Sequence, residues 1–164
     1  MAIRRTFSSA TALVAVLAPV LIATGCGSND STAEQAASLT VADQWVKAAD
    51  NGMTAAFGVL KNSSDTEIRV VSASSPTAEK AELHEIVPGA GSAVMREKKD
   101  GYAIGAKSSV ELKAGADHIM LMGLTQPIKA GDTVSFELRL ADGSVKKVDA
   151  IARDFSGNQE DYHQ

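Results

Sequence analysis

Turn-forming clusters punctuate the chain between Leu39 and Ile151, and no long amphipathic helical pattern runs between them. They are Asn62-Ser-Ser-Asp65, Pro88-Gly-Ala-Gly91, Lys99-Asp-Gly101, Lys113-Ala-Gly115, Lys129-Ala-Gly-Asp132 and Ala141-Asp-Gly143. Short runs of strand-type residues lie on either side: Leu39–Lys47, Thr54–Leu60, Glu67–Ala73, Lys80–Val87, Ser92–Glu97, Ser109–Leu112, His118–Leu124, Thr133–Leu140 and Ser144–Ile151. Phe136, Leu138 and Leu140 alternate with Ser135, Glu137 and Arg139, the period of a half-buried strand. The first run reads with Leu39, Val41 and Trp45 on one side and Gln44 and Val46 on the other. Asp142-Gly143 between two alternating runs is a strong hairpin signal. Short strands at spacings near 8–12 residues predict a single all-β domain, an antiparallel β-sandwich or barrel.

The two ends stand apart from this pattern. Residues 1–25 open with Arg4-Arg5, continue through an apolar run from Ala10 to Ala23 and end on Thr24-Gly25 before Cys26. A basic start, a short apolar segment and small residues before the cut mark a secretory signal, and the run is too short to span a membrane. Small residues leading into Cys26 resemble the bacterial lipoprotein signal, which implies cleavage before Cys26 and acylation of it. Arg4-Arg5-Thr6-Phe7 also bears a faint resemblance to a twin-arginine export signal. Several acyl chains give durable anchoring, so the expectation is a protein held outside the cytoplasm on the membrane surface. Residues 26–38, small and polar after the cysteine, read as a lipidated Cys and flexible tether. The domain is expected over 39–155, with a frayed polar tail over 156–164.

Composition removes several possibilities. The net charge is −4 and no basic cluster follows the signal, which argues against nucleic acid as a partner. Cys26 is the only cysteine, so no intramolecular disulfide can form. No nucleophile-and-base arrangement is visible, and an enzyme is not expected.

The chemistry-bearing residues are His and Met. His84 lies in Glu82-Leu-His-Glu85 and Met95 in Ala93-Val-Met-Arg96. His118 and Met120 lie in Asp117-His-Ile-Met-Leu-Met122. On a strand, residues i and i+2 share a face, which aligns His118, Met120 and Met122. Imidazole with thioether is a soft, neutral donor set suited to Cu(I) and unsuited to Mg²⁺ or Ca²⁺. Structural zinc sites use Cys, His and carboxylate, and a blue-copper centre needs a Cys thiolate. Residue types alone leave a packing role open, since Met commonly fills cores. Met53 and Met122 have no spacing argument and stay with packing, and Trp45 is expected at the core edge.

Spacing adds the decisive information. Ten residues separate His84 from Met95, twenty-two separate Met95 from His118, and His118-x-Met120 closes the set. With Ala81-Glu-Leu-His84, His118-Ile-Met-Leu-Met-Gly-Leu124, Gln126-Pro-Ile-Lys-Ala-Gly-Asp132, Asp43-Gln-Trp-Val-Lys47 and Ala55-Ala-Phe-Gly-Val-Leu-Lys-Asn62, the chain from Leu39 to Ile151 resembles the PCu(A)C family of bacterial copper chaperones. The resemblance implies a cupredoxin-like Greek-key fold and copper ligands at His84, Met95, His118 and Met120. It also implies Cu(I) as cargo and delivery to a copper-accepting membrane protein, a cytochrome c oxidase subunit. An envelope copper buffer without a dedicated acceptor, or a lipoprotein binding a non-metal ligand, are the alternatives. Three departures stand out: Ile86 where many relatives have Met, a Met–His gap one residue longer than usual, and no His- and Met-rich tail.

Overall fold

The computed structural model describes residues 31–89 and 93–156. The expected signal peptide, Cys26 and the tail from residue 157 lie outside the described residues. One short helix and ten strands follow in order: α1 (Ser31–Ser38), β1 (Leu39–Lys47), β2 (Met53–Asn62), β3 (Ile68–Ser74), β4 (Ala78–Pro88), β5 (Ala93–Glu97), β6 (Tyr102–Ile104), β7 (Ser109–Leu112), β8 (His118–Leu124), β9 (Thr133–Leu140) and β10 (Val145–Arg153). Helix α1 occupies residues 31–38 of the segment expected as a tether. Its sequence, STAEQAAS, is rich in strong helix formers. Ala36 packs against the core, and its carbonyl accepts a hydrogen bond from Lys146 Nζ at 3.3 Å. Among the described residues, no helix is long and apolar enough to cross a membrane.

The sheet closes on itself. Strands run β4-β8-β2-β1-β10-β9-β3, and the Ala73↔Ala81 pair joins β3 back to β4. Closure leaves a barrel of seven strands, with β5 extending β4, β6 extending β3 and β7 pairing with β2. Every pairing is antiparallel except β1 with β10. The first and last strands therefore meet side by side and complete one wall of the barrel. Inside lies a core of Leu39, Val46, Ala56, Leu60, Ile68, Val70, Leu83, Ile119, Leu121, Phe136, Leu138 and Leu140 with further apolar neighbours. Strand β6, which the sequence did not reveal, contributes buried Tyr102 and Ile104 to it.

One irregularity decides which residues face the core. Strand β1 has a register shift between Ala42 and Trp45, with Asp43 at φ 53°. A bulge of this kind inserts a residue and reverses the in–out alternation beyond it. Leu39 and Val46 are thus both in the core, while Trp45 stacks on Phe57 on the other face, ring centroids 4.5 Å apart. The expectation that Trp45 shares a side with Leu39 is corrected accordingly. Gly58 on β2 makes room: at φ 152°, a Cβ there would meet the Ala42 carbonyl oxygen at 3.1 Å.

Candidate metal centre

Strands β4 and β8 each turn one face to the core and one away from it. Leu83, Ile119 and Leu121 face inward. Their neighbours in the alternation, Glu82, His84, His118 and Met120, therefore share the outer face. The register pairs His84 directly with His118 and Glu82 with Met120. The two imidazole centroids lie 5.6 Å apart at 60°. A metal ion sits about 2.0 Å from an imidazole nitrogen, so two rings can share one ion only with centroids within roughly 6–7 Å. This pair meets that condition.

Hydrogen bonds fix both rings. His118 Nδ1 donates to the Ala116 carbonyl at 2.8 Å, which leaves Nε2 as the basic nitrogen. His84 Nε2 donates to Glu82 Oε2 at 2.8 Å, which leaves Nδ1 with the lone pair. That Nδ1 is buried and has no hydrogen-bond partner, an arrangement that costs free energy unless something else fills it. Glu82 is itself held by an ion pair with Lys80. Its carboxyl lies below the usual carboxylate range because of the hydrogen bond with His84 first and Lys80 second.

Tyr102 supports both histidines from behind, a role the sequence did not disclose. Its hydroxyl accepts the His84 N–H at 3.1 Å and lies 2.6 Å from the His118 carbonyl and 3.0 Å from the His84 carbonyl, to which it can donate. Burial, then the Asp117 carboxylate, pushes this phenol well above its ordinary range, so it remains a donor at any physiological pH. Phe57 forms a third wall, its ring centroid 6.2 Å from that of His118. Trp45 covers Phe57 in turn and touches Phe155 at 5.2 Å between centroids.

The four expected ligands are not equally close. His84, His118 and Met120 lie together on two adjacent strands, with His118 and Met120 almost fully buried. Met95 sits one strand further out, on β5, opposite Ile86 and on the same face. Its side chain is half-buried. The β5 end of the hairpin is tied down by Lys98, whose Nζ bridges Glu85 at 2.8 Å and Asp117 at 3.4 Å. Among the described residues, no group of three or more His, Cys, Asp or Glu side chains is placed to hold a metal. The other soft donors on this face are the thioethers of Met120, buried on β8, and of Met95, one strand further out.

The model of the LpqE-like family matches residues 39–152, nearly all of the described domain. The chain belongs to the LpqE-like family. Lxx21020 of Leifsonia xyli subsp. xyli, which is named as a lipoprotein, is 43% identical over 158 residues, covering 93% of each chain. Among solved structures, the LpqE-like chain is similar to apo-DR1885 from Deinococcus radiodurans, with 28% identity, 95% of this chain and 100% of that one covered, and a TM-score of 0.58. The Cu(I) form of DR1885 matches at 32% identity over 77% of this chain and 87% of that one, with a TM-score of 0.57. The apo PCuAC domain from PmoF1 is 15% identical and covers 72% of this chain and 95% of that domain at a TM-score of 0.60, a likeness that shows the fold. The LpqE-like domain thus has the fold of PCuAC domains, a cupredoxin-like barrel.

Proposed function

We propose that this LpqE-like protein is a Cu(I) carrier, loading copper at His84, Met95, His118 and Met120 outside the cytoplasm. The observation that carries the reading is the His84–His118 pair. Each ring uses one nitrogen to fix its orientation, His84 presents a buried lone pair, and a buried thioether stands beside them. The donor set is neutral and soft, which favours Cu(I) over harder ions and holds it without a thiolate. Copper is cargo here, and the protein is read as a carrier rather than an enzyme. The likeness to the Cu(I) form of DR1885 supports the choice of metal.

Cys26 is proposed as the lipidated residue, with residues 1–25 removed as a signal. A carrier tethered this way stays close to membrane-bound acceptors, and a cytochrome c oxidase subunit is the proposed recipient. Anaerobic Cu(I) titration against a chromogenic chelator tests the site. The expected result is one tight equivalent, lost when His118 and Met120 are both changed to Ala; unchanged affinity in that variant sinks the assignment. Oxidase activity in a deletion strain starved of copper tests delivery. Retained activity there turns the reading to a copper buffer.

A further inference from the structure

The sequence contains five methionines, the first of them the initiator, and none of the other four belongs to the main core cluster. That core is filled instead by Leu, Ile, Val, Phe, Tyr and Ala. All four internal methionines lie on the face that carries the two histidines. Met120 and Met122 alternate with core residues Ile119 and Leu121 on β8. Met53 on β2 is the direct partner of Met122, and Met95 stands opposite Ile86, two residues from His84 on β4. Two of the four, Met53 and Met122, have no part in the proposed function.

These two are well placed to act together. Directly opposed residues of an antiparallel pair have their Cβ atoms about 4.5–5.5 Å apart, within reach of two flexible thioether side chains. Both are half-buried rather than sealed inside. Met122 follows Met120 by one step of the alternation, roughly 6.8 Å along the strand. Lys80, the β4 partner of Met122, directs its ammonium into the ion pair with Glu82, which compensates its charge.

We propose that Met53 and Met122 form a second Cu(I) site of two thioethers beside the four-donor centre, through which copper is handed to Met120 and the histidines. The inference rests on the copper-carrier reading and extends it to the route of loading. Two neutral sulfurs hold Cu(I) more weakly than two imidazoles and two sulfurs, so the step toward the histidines runs downhill. During the step the copper–sulfur bonds to Met53 and Met122 break as bonds to Met120 and the two imidazoles form. The ion stays Cu(I), and neither a proton nor an electron is transferred.

Anaerobic Cu(I) titration of the full-length protein against a graded series of chelators tests this. The wild type is expected to take a tight equivalent and a second, weaker one. The M53L/M122L variant, a volume-conserving change, should lose only the second, keeping the affinity of the first and the melting temperature of the apoprotein. A wild type with a single equivalent, or a variant that retains the second, overturns the proposal. M120L should weaken the tight equivalent and leave the weak one in place. If the tight equivalent is absent from the wild type altogether, the copper-carrier reading fails with it, whereas loss of the weak equivalent alone leaves that reading intact.

Discussion

At the scale of single residues, the site is built by orientation as much as by donor choice. Glu82 fixes the His84 tautomer through the 2.8 Å contact with Nε2, the role that carboxylates commonly play behind a metal-binding imidazole. Glu82→Gln keeps the shape but removes the charge and is expected to weaken Cu(I) binding roughly tenfold to a hundredfold, read by chelator competition, with little change in melting temperature. Tyr102 works differently, through the backbones of both histidine strands. Tyr102→Phe leaves buried groups without their partner and should cost about 1–3 kcal/mol in chemical denaturation. It should also loosen the spacing of the two rings, so copper affinity is expected to fall along with stability. The four proposed ligands could be named from the sequence only because their spacing resembles that of the PCu(A)C family. Glu82 showed only as a nearby carboxylate, and Tyr102 not at all, since its partners lie 16 and 18 positions away along the chain.

Elements show the same division between local and non-local information. Nine of the strands follow from alternation and turn residues, which are local signals. Strand β6, three residues long, is too short to display a period. It is a strand because β3 pairs with it, Ile68↔Ile104 through Val70↔Tyr102. The bulge in β1 is equally non-local, since it depends on Gly58 of the neighbouring strand, and it moved Trp45 from the expected core edge to the face of the site. The hairpin bearing Met95 carries a testable electrostatic element. Glu85 is held below the usual carboxylate range by Lys98 first and Arg96 second. Its folded-state pKa lies below the unfolded one, so the unfolded chain binds more protons as the carboxyl titrates. The contribution is therefore complete above about pH 4.5 and is lost as pH falls through the depressed value. In Lys98→Met that acid-side loss should shrink, as measured by melting temperature between pH 3 and 6, roughly the carboxylate range.

For the whole molecule, the barrel explains how the proposed carrier has its donors in place before copper arrives. Both histidines sit on strands paired along both edges, β4 with β3, β5 and β8, and β8 with β4 and β2. The parallel contact of β1 with β10 ties the start of the domain to its end, so a pull on the chain at Leu39 bears on the whole wall. The proposed anchoring belongs to this scale too. Cys26→Ser is expected to move the protein from the membrane fraction to the soluble extracytoplasmic fraction, as followed by fractionation and immunoblot, while the isolated variant still binds copper. Of the four proposed donors, only Met95 lies on a terminal strand, for among the described residues β5 pairs with β4 alone. Opening free energy falls where pairing is one-sided, which ranks the copper bonds by how easily each is given up: sulfur at Met95 leaves first, and the imidazoles leave last. Release is then a peeling from one side, like a page turned from its free margin, and the speed of the hand-over is set at that margin rather than at the spine.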